Sequence, residues 1–281
     1  MGKLLAPAEG QVGRRVRRDE TPKELIVAVS EHKFQGRIFD PVADSTATTR
    51  LRDLRERWRA EDKTVVFTSG AFDLFHLNHS AFLEYSRMSA VPVHFERYDA
   101  EREGVLWEEL SQGDRRDYTI HALSAGLVKQ VVSVDGNDSV SAKKSSDPAK
   151  GGLRPAYDWE TRARSVLLAG TEANGNGPSF LVDAVTIHDR LHPALTGTPH
   201  ETIMAIGQHV RPDVWAIGPE SLEIVAAFEA DEFGADASDA FSQTVPILLP
   251  HRGPYMDRNI GDISTSSVVQ RMLGATMLHE S

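Results

Sequence analysis

The sequence predicts an α/β fold: an open parallel sheet with helices on both faces. Three observations carry this reading. From residue 64 onward, short runs rich in β-branched residues alternate with segments of helical periodicity; the alternation recurs several times along the chain; and several runs end at glycine or a polar turn. Strands that alternate with helices pair in parallel and are covered on both faces.

In order along the chain, ELIVAV at 24–29 reads as a short strand, and from Thr48 or Thr49 as N-cap an amphipathic helix runs to about Asp62 through Leu51, Leu54 and Trp58. TVVFTS at 64–69 is a strand stopped by Gly70, followed by a tight loop and a helix whose stripe begins at Phe82 and Leu83. QVVSV at 130–134 is a strand followed by the polar segment DGNDSVSAKKSSDPAKGG, and 158–169 is a helix. LVDAVTI at 181–187 is a strand, 199–209 a helix opened by Thr198 and Pro199, and DVWAI at 213–217 a strand stopped by Gly218 and Pro219. TVPILL at 244–249 and a helix from about Ser264 close the series. Two stretches interrupt it and read as insertions: 87–128, with a strand-like VPVHFERY and a helix from Asp114 to Val128, and the acidic 228–242. Residues 1–62 thus form an extension with an amphipathic helix, and 63–281 the main domain.

Length and composition bound the function. At roughly 100–200 residues per domain, 281 residues make one large domain or two small ones, and 40% hydrophobic with 26% charged residues supports a real core. A formal charge of -10 repels a phosphate backbone over the surface as a whole, so no nucleic-acid partner is expected. With no Cys there is no disulfide, thiolate metal site or cysteine nucleophile. No run approaches the roughly 20 apolar residues of a membrane span, and the basic start of the chain lacks a secretory signal, so the expectation is a cytoplasmic protein.

In such a sheet ligands bind beyond the carboxyl ends of the strands, where backbone N–H groups at helix starts are unpaired. The loop from Ser69 to His79 is expected there. Gly70 allows close backbone approach, Asp73 can open the helix, and His76 and His79, three apart, can face the same side at a helix N-terminus. That arrangement suits phosphate oxygens; a metal pair would lack an obvious third ligand. Near the end of the chain, Ser264, Thr265 and Ser266 precede an apolar helix, with Arg258 and Arg271 on either side. They can cap that helix or hold a triphosphate. His188 and His192, followed by Pro193, read as a surface or helix-end pair rather than a metal pair.

VVFTSGAFDLFHLNHSAFLEYSR resembles the G-x-F-D-x-x-H-x-x-H signature of the cytidylyltransferase-like nucleotidyltransferases, and DISTSSVVQRM that family's I-S-T-[ST] motif. Between them KKSSDPAKGGLRPAYDWETR, LVDAVTI and HVRPDVWAIG are similar, in order, to its lysine and R-P stretch, V-D-x-V strand and R-P-D-V strand. The resemblance covers 64–273 apart from the insertions. It implies a Rossmann-like fold that transfers a CMP or AMP group from CTP or ATP to a phosphorylated alcohol or sugar, with Mg²⁺ as cofactor and pyrophosphate released. By the same resemblance His76 and His79 would contact the triphosphate. Lys143 or Lys144 would be the mobile lysine, and Arg162 and Asp183 would lie toward the acceptor. Ser69, Gly70, Ala71, Phe72, Asp73, Asn78, Gly218, Arg258 and Ser264 to Ser266 would line the nucleotide. A homodimer is the oligomer it implies. From the residues alone, Lys143 and Lys144 are equally solvated lysines, Arg162 a partner for Asp158 or Glu160, and Asp183 a strand-end residue facing solvent. Asn78 replaces the glycine usual between the two histidines, and the segment after Gly218 departs from the family. These departures motivate the alternative of a catalytically inactive nucleotide-binding or interaction protein of the same fold. The 87–128 insertion is expected to shape the acceptor site.

Overall fold

The run Thr64–Gly70 forms the central strand because neither of its faces meets water: Thr64 to Thr68 are all buried. The computed structural model describes residues 34, 36–41, 43–145, 155–169, 172–174, 177–179, 181–188, 207, 209–218 and 244–249, without the side chains of 77, 142–145, 172–174 and 177–179. The chain divides into Met1–Gln35 and Gly36–Ser281, and every element below belongs to the second unit.

In order these are β1 (Ile38–Phe39), α1 (Ala47–Ala60), β2 (Thr64–Gly70), α2 (Leu77–Ser89), α3 (Val91–Tyr98), α4 (Ala100–Glu103), a 3₁₀ turn at Trp107–Glu109, α5 (Gln112–Ser124), β3 (Val128–Asp135), α6 (Asn137–Ser145) and α7 (Trp159–Leu168). There follow β4 (Glu172–Asn174) and β5 (Gly177–Ser179), a small antiparallel pair, then β6 (Ala184–His188), β7 (Val214–Ile217) and β8 (Val245–Leu248). The main sheet has six strands in the order β1-β6-β3-β2-β7-β8, and all of its pairs are parallel. The fold is therefore α/β and Rossmann-like. The order reverses between β2 and β7, and the crevice at such a switch point is where ligands bind.

Alternate residues of the strands feed two cores. Val65, Phe67, Val131, Ala184, Trp215 and Ile217 pack with Ala47, Leu51 and Trp58 of α1. Val66, Val128, Val214 and Ala216 pack with Ala90, Val91 and Ala122, flanked by Phe82, Tyr85 and Tyr118. The helix expected over 48–62 is α1, and its N-cap is Thr46, so Thr48 and Thr49 lie inside the first turn.

VPVHFERY is a helix, α3, not a strand. Its buried residues Val91, His94 and Phe95 follow the i, i+3, i+4 spacing of one helical face, and Pro92 sits in the first turn, where a missing N–H costs nothing. The helix expected from Asp114 ends at Ser124, and Val128 already begins β3. The polar segment after QVVSV opens with α6. The run expected as a strand at 24–29 and the helix from Ser264 lie outside the described residues, as does most of 199–209 and all of 228–242.

Residues 87–128, read from the sequence as an insertion, make polar contacts at the amino edge of the sheet. Nδ1 of His94 is 3.1 Å from Thr64 Oγ1, Arg87 Nε donates to the Val128 carbonyl at 3.1 Å, and Arg97 pairs with Asp213. These partners stand at or before the first residues of β2, β3 and β7. Asp213, the acidic residue of the R-P-D-V segment, is fully buried. It accepts from the Val65 N–H at 2.7 Å and from Arg59 of α1 at 2.9 Å, besides Arg97 of α3. Its backbone N–H donates to the Val65 carbonyl at 2.8 Å. One carboxylate thus ties β7 to β2 and anchors a helix from each face.

Candidate functional site

The carboxyl edge at the switch point is built by the loop from Ala71 to His76. Phe72 and Leu74 hold positive φ angles of 46° and 48°, a conformation that costs a bulky residue of order 1–3 kcal/mol. The turn is tight enough to fold the buried Phe72 ring back over Gly70, whose absent Cβ would lie 3.1 Å from that ring. Gly70 is needed for this packing. Asn78 stands in the first turn of α2 and outside the positive-φ residues, so its position makes no use of the freedom a glycine would bring.

His76 is the N-cap of α2 with extended backbone, and His79 is one turn on. Their rings stack with centroids 3.8 Å apart and 18° between planes. Phe72 meets the His79 ring edge-on at 5.4 Å and Phe75 lies tilted against it at 5.5 Å, so the second imidazole is held by aromatic packing. Burial pushes the His76 pKa below its ordinary value of 6.5. No acidic residue occupies the first turn of α2, which leaves the positive end of the helix dipole uncancelled by the helix itself.

Three segments are stitched together beside this loop. Arg162 of α7 is only 1% exposed. It donates to the Ala71 carbonyl at 2.6 Å, to Asn137 Oδ1 at 2.9 Å and to the Tyr157 carbonyl at 3.0 Å. Asp73, equally buried, accepts from the Ala156 and Tyr157 N–H groups at 3.0 and 3.4 Å. Both side chains fix the loop against the start of α7 and the end of β3. Asp158 and Glu160 are engaged elsewhere: Asp158 caps α7 through the Thr161 N–H at 2.7 Å, and Glu160 pairs with Arg164 at 2.6 Å.

The structure brings Ser69, Gly70, Ala71, Phe72, Asp73, His76, Asn78, His79 and Arg162 to the carboxyl edge, with Gly218 at the end of β7 across the switch point. Asp183 is not among them. It precedes β6 at the amino edge, where it accepts from Lys129 Nζ at 3.0 Å and the Gln130 N–H at 2.8 Å. Lys143 and Lys144 fall in the last turn of α6. Arg258, Ser264, Thr265, Ser266 and Arg271 lie outside the described residues.

His188, read from the sequence as a surface or helix-end residue, is instead the buried last residue of β6, and it bonds Ser133 and Asp135 of β3. His192 lies outside the described residues. The polar alternation Ser133-x-Asp135 at the end of β3 was the available signal, together with Asn137 two residues on; it is hidden by reading that segment as an apolar strand with a solvated tail.

Among the described residues, no group of three or more His, Cys, Asp or Glu side chains could hold a metal ion, and no helix is long and apolar enough to cross a membrane. No family model matches the chain. It is 45% identical over 220 residues, 75% of its length, to a bifunctional protein HldE of Koribacter versatilis. To a bifunctional protein HldE of Methylobacillus flagellatus it is 29% identical over 181 residues, 64% of its length. The match spans 32% of the first curated relative and 24% of the second. Beside the parallel sheet and the switch-point loop, this likeness, which extends over part of each relative's length, supports kinship with the cytidylyltransferase-like nucleotidyltransferases.

Proposed function

We propose that the protein transfers the AMP group of ATP to a sugar phosphate of the heptose 1-phosphate class and releases pyrophosphate. The observation that carries this reading is the pair of stacked imidazoles at the N-terminus of α2, set at the switch point of the sheet. Two imidazolium cations about 4 Å apart would repel by about 4 kcal/mol at the effective dielectric of a protein surface, which acts in the same direction as the burial that lowers the His76 pKa. A triphosphate laid across both rings reverses that balance, favours the protonated forms and places N–H donors on the phosphate oxygens.

In the reaction an acceptor phosphate oxygen attacks the α-phosphorus in line. The new P–O bond forms as the bond to the β-phosphate breaks, and the electron pair leaves on pyrophosphate. Negative charge spreads over the phosphoryl oxygens, so positioned donors lower the barrier more than a general base would. His76, His79 and the amide end of α2 supply those donors, and Arg162 with Asp73 keep the loop at its working geometry. Mg²⁺ would neutralise charge on the triphosphate; the described side chains form no cage for it, and it would be held chiefly by phosphate oxygens. ATP is chosen over CTP, and a sugar phosphate over an alcohol phosphate, because the R-P-D-V strand resembles heptose 1-phosphate adenylyltransferases and both relatives are HldE proteins.

The test is pyrophosphate release with ATP or CTP, Mg²⁺ and heptose 1-phosphate, in the wild type and in His79→Ala. The expected result is ATP-dependent release that falls about 100-fold or more in the variant, the scale of losing a transition-state donor. Folded wild-type protein that neither binds nor turns over either triphosphate refutes the reading and favours the inactive interaction protein.

A further inference from the structure

The carboxyl edge contains a chain of side chains that the transfer reaction does not itself use. Ser133 and Asp135 alternate on β3 and so share a face, and the register sets His188 of β6 directly opposite Asp135. His188 Nδ1 lies 2.8 Å from Ser133 Oγ, and its Nε2 lies 2.8 Å from Asp135 Oδ1. All three residues are at most 2% exposed. A carboxylate only accepts, so Nε2 carries a proton, and in the neutral ring Nδ1 accepts from the Ser133 hydroxyl. The order Ser-His-Asp is that of a hydrolytic triad. Ser133, however, is fully buried within a strand at the centre of the sheet, where no substrate carbonyl reaches it.

Two short routes lead from this chain to the phosphate loop. Gly136, which follows Asp135, donates its N–H to the His188 carbonyl, and Asn137 follows at the start of α6. Asn137 Oδ1 takes a hydrogen bond from Arg162, whose other terminal nitrogen donates to the Ala71 carbonyl at 2.6 Å. On the opposite side Ser133 is the register partner of Ser69, two residues before Ala71. The imidazole therefore fixes the point where β3 ends, and the end of β3 sets where Asn137 holds Arg162.

We propose that His188 is a positioning residue for the triphosphate loop: by bridging Ser133 and Asp135 it sets the Gly136–Asn137 turn, and through Asn137 and Arg162 it sets the backbone from Ala71 to His76. Its catalytic consequence rests on the nucleotidyltransferase reading, whereas the positioning itself does not.

The experiment compares the full chain with His188→Ala, with His188→Gln, whose amide donates to Asp135 and accepts from Ser133, and with Ser133→Ala, which removes one hydroxyl. Amide hydrogen exchange is followed in the unliganded protein over 69–80, with 91–124 as internal control, alongside KM and kcat for ATP. In His188→Ala, exchange over 69–80 is expected to rise about tenfold with 91–124 unchanged, a local rather than global opening. KM for ATP is expected to rise about tenfold, with a smaller change in kcat. The glutamine variant restores most of both, and Ser133→Ala moves them less in the same direction. Unchanged exchange over 69–80 overturns the proposal, and so does an equal rise in both regions, which would mark a purely structural residue. If His188→Ala does not fold, Ser133→Ala decides between the same outcomes. Absence of turnover in the wild type removes the transferase reading, and the exchange comparison still decides the positioning role.

Discussion

Replacing Asp213 by alanine tests the logic of the amino edge. The carboxylate is fully buried, and its loss strips the acceptor from the Val65 N–H inside the central strand, where Val65 itself is buried and water cannot substitute. Such an orphaned donor costs about 1–3 kcal/mol. Arg59 and Arg97 lose their common partner, but each side chain is 28% exposed and rehydrates in part. Their share is accordingly about 1 kcal/mol each rather than the 3–5 kcal/mol of a fully buried pair. The expected loss is about 4 kcal/mol, a large fraction of the roughly 5–15 kcal/mol that holds a domain folded. Urea unfolding followed by circular dichroism should show the midpoint lowered by more than about 1 M with the slope unchanged. Asp213→Asn, which keeps an acceptor for Val65, should lose about half as much. A midpoint shift below about 0.3 M in Asp213→Ala would refute the account of this residue as the tie between β7, β2 and the two flanking helices.

Arg162→Lys keeps a charge but cannot reach the Ala71 and Tyr157 carbonyls and Asn137 together; ATP affinity should weaken about tenfold or more, measured by calorimetry, and an unchanged affinity would count against the stitched loop. Gly70→Ala brings a methyl to 3.1 Å from the Phe72 ring that packs on His79, so ATP binding should fall several-fold and stability by about 1 kcal/mol, read from the urea midpoint; unchanged ATP binding would count against this packing. Burial holds the His94 pKa below its ordinary 6.5, with Arg97 acting in the same direction and Asp99, Asp62 and Asp213 opposing. The unfolded chain therefore takes up the proton first: the stability is fully present above pH 6.5 and is lost as pH falls toward the folded value. Asp44, Glu61 and Asp158 are held below the usual carboxylate range by hydrogen bonds from Thr46, Lys63 and Thr161, so they titrate at lower pH. Unfolding midpoints measured from pH 7.5 down to about 5 should decline in the wild type and decline less in His94→Gln, and parallel curves would contradict this assignment.

What the sequence disclosed and what it concealed divides along the range of the interactions. Thr64–Gly70 was legible because a short β-branched run stopped by glycine reads as a strand. The loop that follows was legible because its glycine and histidines lie within ten residues of one another. VPVHFERY misled because Val91 and Val93 flank Pro92 in the manner of a strand, while the helical spacing of Val91, His94 and Phe95 becomes evident only once their burial is known. Arg162 and Asp73 were found, but their partners at Ala71, Asn137 and Ala156 are set by tertiary geometry, and so their work in holding the loop was not. Asp213 and His188 were hardest to read. Each owes its burial to a strand that lies far away in sequence, Asp213 to β2 and His188 to β3, and no local pattern marks such a pairing.

Helix α2 begins at the carboxyl-edge loop and ends where residues 87–128 begin, so the length of the helix separates the loop proposed to hold the triphosphate from that stretch. Additions near Gly104, which has a φ of +70° and open space around it, can lengthen the chain without crossing to the other edge. That makes the Gly104–Leu106 turn the natural place to graft a reporter or an affinity handle at a distance from the loop proposed to meet the triphosphate.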